Sequence, residues 1–379
     1  MAAQQSWISY FSNLVKQYGG VNLAQGIPGF QPPEGLMEGL KRCASEDNHQ
    51  YAPGTGNHNL RAHIFKMYED KFSEEQQALM VTNGATEAIH LLYMSFHTQK
   101  ARLRAAAFAP VYESYLHLPR IYGDEFYSLE MNNTHGDLPE KLELFFQKNQ
   151  PDVFFVNSPG NPYGNSLDKD PFDRLVSLSA RYKCRLLIDA VYDRIYFQEP
   201  PYYPFHDFHE NVYFINSFSK LYSITGWRIG YFFCHPSKFD LIRDIHDYTG
   251  LCTPSVLQES LARFMSDSPE KDSYVVETRE RIKRNLSMGK EMLEDSGFEV
   301  PVVKGGYFIW AKLPADLSDS IGFAKQLYKE YQTAIIPGAH FGRDYSNYIR
   351  INIARQYEEL KAGIEHIVKL ANNQQGAVV

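Results

Sequence analysis

Between about Ala78 and Cys234, short apolar runs alternate with segments of helical spacing. The runs are nearly continuous, as expected of strands that are buried on both faces. Strands that alternate with helices favour a largely parallel sheet covered by helices on each side. The predicted strands lie at 78–82, 103–109, 125–130, 152–157, 184–190, 212–217 and 228–234, and the predicted helices at 86–97, 113–121, 138–147 and 171–182.

The pattern changes beyond Pro254, where long charged helical stretches replace the regular alternation. These stretches, at about 255–267 and 271–296, precede scattered apolar runs, which predicts a smaller α+β domain. About 45 residues at the start have no place in the central alternation, and we expect them to pack with the C-terminal part. We therefore predict a large domain over 46–275 and a small domain formed by 1–45 and 276–379.

Composition excludes several classes of protein. The net charge of -7 argues against nucleic acid as a partner and against a basic membrane patch. No stretch approaches the roughly 20 apolar residues of a membrane span, and the N-terminus lacks the pattern of a signal peptide. Four scattered cysteines, without a C-x-x-C pair, favour a reduced, cytoplasmic protein: Cys43, Cys184, Cys234 and Cys252.

Polar residues just after the predicted strands are the candidates for chemistry, because ligands of such sheets bind outside the carboxyl ends of the strands. Each segment alone also suits an ordinary turn, helix cap or core aromatic. The five segments are TNGATEAI (82–89), APVYESY (109–115), NSPGNPYG (157–164), LLIDAVYD (186–193) and SFSKLYSITGWRIGY (217–231).

Lys220 and Asp189 are the most informative of these residues. Lys220 follows an apolar strand, and burial favours the neutral, nucleophilic form of a lysine. Asp189 closes another apolar run, where a carboxylate is unfavourable unless it meets a cation or hydrogen-bond donors. Arg228, eight residues after Lys220, offers a planar cation suited to phosphate.

Together the five segments supply what pyridoxal 5′-phosphate requires. A helix start, hydroxyl groups and an arginine suit its phosphate. An aromatic face and an anion suit its pyridine ring, asparagine and tyrosine suit its phenolic oxygen, and a lysine suits its aldehyde. The sequence does not indicate a metal site, because His206, His209 and Glu210 have the wrong order for a zinc protease.

The ordered motifs resemble the fold-type I, class I/II pyridoxal-phosphate aminotransferases. The motifs are Y-x-x-x-x-G-x-x-x-L-R (51–61), T-N-G-A-T-E-A, P-x-Y-x-x-Y, N-x-P-x-N-P-x-G, D-x-x-Y and S-x-S-K-x-x-x-x-x-G-x-R-x-G. The similarity spans 25–354 and is greatest to the methionine, glutamine-phenylpyruvate and kynurenine aminotransferase branch. It implies a mostly parallel seven-stranded sheet sandwiched by helices, and a smaller α+β domain.

The resemblance also implies roles for individual residues. Lys220 would form the Schiff base and move the substrate proton, Asp189 would pair with the pyridine nitrogen, and Tyr112 would stack on the ring. Asn161 and Tyr192 would hold the phenolic oxygen. The phosphate would be held by Gly84, Ala85, Thr86, Ser217 and Arg228, and by Tyr51 of a neighbouring subunit, which implies a homodimer. The substrate would be bound by Arg350 at its α-carboxylate and by Gly26, Ile27 and Asn157.

We therefore predict ping-pong transamination between an L-amino acid and a 2-oxo acid. No second arginine suits a distal carboxylate, which favours a methionine, glutamine or aromatic substrate over aspartate. Candidate lining residues are Ile27, Phe30, Tyr112, Tyr163, Tyr307 and Phe341.

Three alternatives use the same features. A C–S β-lyase would employ the same Lys220 and Asp189. An acyl-serine hydrolase would use Ser217 with Lys220 as S-x-x-K, but the S-D-N element of that class is missing. A ligand-sensing regulator on this fold would need an N-terminal DNA-binding helix-turn-helix, for which Tyr51 lies too early.

Overall fold

The computed structural model describes residues 6–72, 75–131 and 136–376. The helices are α1 (Trp7–Tyr18), α2 (Glu34–Ala44), α3 (His58–Lys66), α4 (Ala85–His97), α5 (Glu113–Tyr122), α6 (Leu138–Asn149), α7 (Lys169–Arg181), α8 (Phe218–Leu221), α9 (Pro236–Thr249), α10 (Ser255–Asp267), α11 (Glu270–Glu294), α12 (Ser320–Tyr331) and α13 (Tyr357–Gly376). The strands are β1 (Val21–Asn22), β2 (Ala78–Thr82), β3 (Arg104–Ala109), β4 (Glu125–Glu130), β5 (Val153–Asn157), β6 (Arg185–Asp189), β7 (Val212–Ser217), β8 (Gly230–Cys234), β9 (Phe308–Lys312), β10 (Thr333–Ala334), β11 (Ile336–Pro337) and β12 (Tyr348–Asn352).

The central sheet of the described residues has seven strands in the order β2-β8-β7-β6-β5-β3-β4. Strand β8 runs antiparallel to both of its neighbours, and the other pairs are parallel. The predicted fold class is thus confirmed. The register aligns Asn157 with Asp189, and aligns both Ser217 and Thr82 with Gly230, so these strand ends meet along one edge.

Two of the differences between the sequence-based assignments and the structure have a clear local cause. The last strand begins at Gly230, not at residue 228, because Arg228 adopts a left-handed backbone conformation (φ 56°) that ends the extended chain. Helix α9 was not predicted. It starts with Pro236 at its first turn, a position that proline favours.

Hydrophobic clusters cover both faces of the central sheet, and a third surrounds the small sheet β11-β12-β9. Strand β1 pairs in parallel with β10, which joins the N-terminal part of the chain to the C-terminal part. Helix α2 lies instead against α10, and its Leu36 belongs to a core of the central sheet. The residue ranges of the two domains stay a prediction. None of the described helices is long and apolar enough to span a lipid bilayer.

Helix α6 shows how the sequence dictates such packing. Leu138, Leu142, Phe145 and Phe146 recur at helical spacing and are buried, whereas the charged residues lie on the opposite face. The helix ends where Gln150 adopts a left-handed conformation.

Replacing Phe146 with alanine is expected to destabilise the fold by about 3–5 kcal/mol, because this ring is fully buried and the change leaves a cavity. The matched control is Leu144→Ala in the same helix, where the side chain is 65% exposed and a change within about 0.5 kcal/mol is expected. Urea denaturation followed by circular dichroism measures both. Equal midpoints for the two variants would contradict this account of the core.

Candidate active site

A cavity of about 270 Å³ lies at the strand-end edge of the central sheet. It brings together nearly all of the predicted site residues, which come from distant parts of the chain: Gly26, Ile27, Ala85, Thr86, Tyr112, Asn157, Asn161, Asp189, Tyr192, Ser217, Lys220, Arg228 and Arg350. Gly84 borders this group through Arg228. Tyr51 is 83% exposed and does not line the cavity of its own chain.

Lys220 lies on the short helix α8 directly after β7. Ser217 caps this helix by accepting a hydrogen bond from the backbone N–H of Ser219. The Lys220 Nζ donates to the carbonyl oxygen of Gly26 at 2.5 Å. Burial and the charges of Arg350 and Arg228, against the opposing effect of Asp189, lower the pKa of Lys220 to about 8. A much larger fraction of Lys220 than of an ordinary lysine is therefore a neutral amine at a given pH.

Asp189 ends β6 and is 6% exposed. It accepts a hydrogen bond from the Tyr115 hydroxyl at 2.5 Å and one from the backbone N–H of Val191 at 3.2 Å. Burial nevertheless raises the pKa of Asp189 to about 6. No described arginine or lysine makes an ion pair with this carboxylate, so a cation placed in the cavity would stabilise its charged form.

An anion-binding corner forms where α4 begins. Gly84 adopts a positive φ of 82°, and a Cβ at this position would lie 2.3 Å from Nη2 of Arg228. A Cβ at Gly230 would lie 2.5 Å from the carbonyl carbon of Gly84, so two glycines allow this close approach. The Arg228 guanidinium donates only to the carbonyl oxygens of Thr225 and Asn83 among the described residues. No described carboxylate pairs with this guanidinium, which is thus available to an anionic ligand.

Arg350 lies on β12 of the small sheet and is fully buried. Its Nη1 donates to Oδ1 of Asn161 at 2.9 Å and its Nη2 to the carbonyl oxygen of Ala24 at 2.5 Å. Its Nε is buried and has no hydrogen-bond partner among the described residues. Burial lowers the pKa of Arg350 to about 10. A ligand carboxylate would provide the counterion that this guanidinium lacks.

The two asparagines and Tyr192 complete the centre of the cavity. Asn157 donates to the carbonyl oxygen of Asp189 at 2.9 Å and accepts from the backbone N–H of Asn161 at 2.7 Å. Tyr192 is 3% exposed, and its ring packs edge-on against Tyr307. Burial raises the pKa of Tyr192, so its hydroxyl remains protonated and able to donate.

Sequence reasoning missed several contributors to the site. Tyr115 was quoted within a motif but given no role, although it donates to Asp189. Other lining residues that the prediction omitted are Ile8, Gln25, Ile89, Glu113, Val191, Ser219 and Thr225. Of the candidate lining residues, Ile27 and Tyr112 line the cavity, whereas Phe30, Tyr163, Tyr307 and Phe341 do not. Tyr307 contacts the site without lining the cavity: its hydroxyl donates a hydrogen bond to the backbone carbonyl of Lys220 at 2.5 Å.

Residues 18–367 match the family model for aminotransferase class I and II. The chain belongs to this family. It is an enzyme, a transaminase, and its cofactor is pyridoxal 5′-phosphate. The predicted resemblance is thereby confirmed.

Relatives named for different amino acids match more than nine-tenths of the chain. A probable aspartate aminotransferase of Methanocaldococcus jannaschii is 28% identical over 356 residues, which cover 91% of each chain. An aromatic-amino-acid aminotransferase of Thermococcus litoralis is 23% identical and covers 93% of this chain and 92% of its own. A solved aminotransferase of Mycobacterium tuberculosis has the same fold, with a TM-score of 0.89, 20% identity and 98% coverage of both chains.

The residues present fit this cofactor. The Arg228 corner suits a phosphate, Asp189 suits a protonated ring nitrogen, and Lys220 suits an aldehyde. Tyr112 lines the same cavity and offers an aromatic face. The site therefore has a counterpart for each functional group of pyridoxal 5′-phosphate.

Attachment of pyridoxal 5′-phosphate to the cofactor-free protein is expected to accelerate as the pH rises, with a midpoint near pH 8, and to level off at higher pH. The reason is that only the neutral amine of Lys220 is nucleophilic, and its pKa is about 8. Stopped-flow absorbance measures the rate. In Asp189→Asn the midpoint should shift to lower pH, because Asp189 raises the pKa of Lys220. A wild-type rate that keeps rising through the ordinary lysine pKa of about 10.4 would contradict the lowered value.

Proposed function

We propose that this aminotransferase transfers the amino group of an L-amino acid to a 2-oxo acid. The amino acid has an uncharged side chain, as in methionine, glutamine or an aromatic amino acid. The observation that carries the proposal is the set of basic side chains that line the cavity. Lys220, Arg228 and Arg350 are the basic residues among its described lining, and each has a task at the cofactor or at the α-carboxylate. None remains to bind a second carboxylate.

When bound, pyridoxal 5′-phosphate supplies an electrophilic carbon and a conjugated ring that withdraws electrons from the substrate. Lys220 takes the proton from the substrate Cα with its Nζ and later returns one, as general base and acid. Arg350 binds the α-carboxylate, and Asn157, Gly26 and Ile27 shape the space beside it. The keto product then leaves, and the 2-oxo acid reacts along the reverse path.

Other residues would hold the cofactor. Asp189 would stabilise the positive charge on the ring nitrogen, Asn161 and Tyr192 would bind the phenolic oxygen, and Tyr112 would stack on the ring. The phosphate, whose negative charge is favoured at the start of α4, would be bound by Gly84, Ala85, Thr86, Ser217 and Arg228.

A C–S β-lyase would use the same groups, but no observation favours it. The curated relatives reported above are aminotransferases that cover more than nine-tenths of the chain.

Four free cysteines, three of them buried, support the reducing, cytoplasmic environment predicted from the sequence.

The homodimer is likewise a proposal. Tyr51, Tyr248 and Leu251 are exposed apolar side chains on neighbouring segments, since a Cβ at Gly54 would lie 3.2 Å from the carbonyl oxygen of Leu251. The same patch adjoins the first turn of α4, because a Cβ at Gly250 would lie 2.5 Å from the Glu87 carboxylate. A second copy seated here would bring its Tyr51 to the phosphate end of the cavity.

A half-reaction screen over the twenty common amino acids tests the function. Uncharged substrates are expected to deplete the absorbance of the bound cofactor at least about tenfold faster, per unit concentration, than aspartate. Lys220→Ala is the control and should lose both the covalent attachment and the reaction. Fastest depletion by aspartate would refute the substrate class. Release of pyruvate and ammonia from cystathionine, without amino transfer to an oxo acid, would refute transamination.

Tyr51→Phe is expected to weaken cofactor binding about tenfold, because it removes a hydrogen bond to a charged phosphate across the dimer. Equilibrium dialysis measures the cofactor, and sedimentation should give twice the chain mass of 43.6 kDa. Tyr248→Phe is the matched control, because Tyr248 is 92% exposed in the same patch but its hydroxyl is not assigned a contact with the phosphate. A monomer, or equal affinities for both variants, would contradict the proposal.

A further inference from the structure

A carboxylate lines the cavity beside the residues assigned to the substrate. Glu113 is the first residue of α5, directly after Tyr112, and its side chain is 23% exposed. It has no part in the roles described above. Glu113 also favours the charged form of Arg350, which places it within electrostatic range of the α-carboxylate site.

Two side chains hold Glu113 from outside the central sheet. Ser6, which precedes α1, donates its hydroxyl to Oε2 at 2.8 Å. The Nε2 of His340 lies 3.1 Å from the same oxygen, without the alignment of a hydrogen bond. Both contacts use Oε2, and Oε1 accepts no hydrogen bond from any described residue. Glu113 is therefore positioned, with one acceptor oxygen to spare.

Glu113 gives this part of the cavity a negative charge. Burial acts to raise the pKa of Glu113, but the contacts with His340 and Ser6 outweigh burial and lower it, so the group is ionised. The basic residues that also line the cavity, Lys220, Arg228 and Arg350, are assigned to the cofactor and the α-carboxylate, and His340 meets only Oε2 of Glu113.

We propose that Glu113 is a specificity-determining residue, which repels a carboxylate on the substrate side chain and accepts a hydrogen bond from a neutral donor there. The primary amide of glutamine is the donor that fits this chemistry, so glutamine would be distinguished from glutamate by charge. This inference rests on the proposed function and adds the group responsible for its selectivity.

The wild-type holoenzyme provides the first test. Half-reactions with glutamine, methionine and glutamate are compared by kcat/KM, since methionine has similar length but neither charge nor donor. Glutamate is expected to react at least about tenfold more slowly than glutamine, because like charges face each other in a partly desolvated site. A glutamate reaction as fast as that of glutamine overturns the inference without any variant.

The variant Glu113→Gln removes the charge and keeps an oxygen that can accept from Ser6. Its kcat/KM for glutamate is expected to rise at least about fivefold, with that for methionine within about twofold of wild type. The matched control is Glu130→Gln, because Glu130 accepts hydrogen bonds from Tyr345 but does not line the cavity, and it should change neither value.

A smaller rise for glutamate, or an equal rise for methionine, overturns the role of Glu113. Cofactor absorbance and the thermal midpoint establish that each variant is folded and loaded. The proposed function fails in a different way, through the absence of any reaction between the wild-type enzyme and uncharged amino acids. The two failures are therefore distinguishable.

Discussion

The burial of Asp189, Lys220 and Arg350 around one cavity is the constraint on which the rest of the site depends. Each charged form is unfavourable in a protein interior unless other groups compensate it. The protein compensates them only in part, through the Tyr115 hydroxyl, the Asn161 amide and backbone carbonyls. In the proposed function the cofactor and the substrate supply the remaining compensation, so binding and chemistry use the same groups.

The register of the parallel strands in the central sheet determines where the polar side chains of the cavity lie. Because Asn157 and Asp189 are register partners on β5 and β6, and Ser217 ends the next strand, three polar residues reach one edge without any loop adjustment. Lys220 follows within a single short helix. The register of the strands thus determines the spacing of these polar residues, and the small sheet adds Arg350.

Most of the strands, and most of the polar residues that meet in the cavity, could be predicted from sequence because their signals are local. An apolar run that is followed by Asp189 or Lys220 can be recognised within about ten residues of sequence. The antiparallel place of β8 between β2 and β7 was not predictable, since pairing over long separations decides it. Glu113 and Ile8 were missed for the same reason: each reaches the cavity through contacts with residues far away in sequence.

The pairing of β1 with β10 has a consequence for how the enzyme matures on the ribosome. Ala24 accepts a hydrogen bond from Arg350, a residue 326 positions later, and Ile8 and Gln25 wall the same cavity. These early residues emerge long before their partners are synthesised, whereas the central sheet uses strands that are made within a shorter interval. All strands of the central sheet end by Cys234, whereas the cluster around Arg350 can be complete only once β12 has been translated.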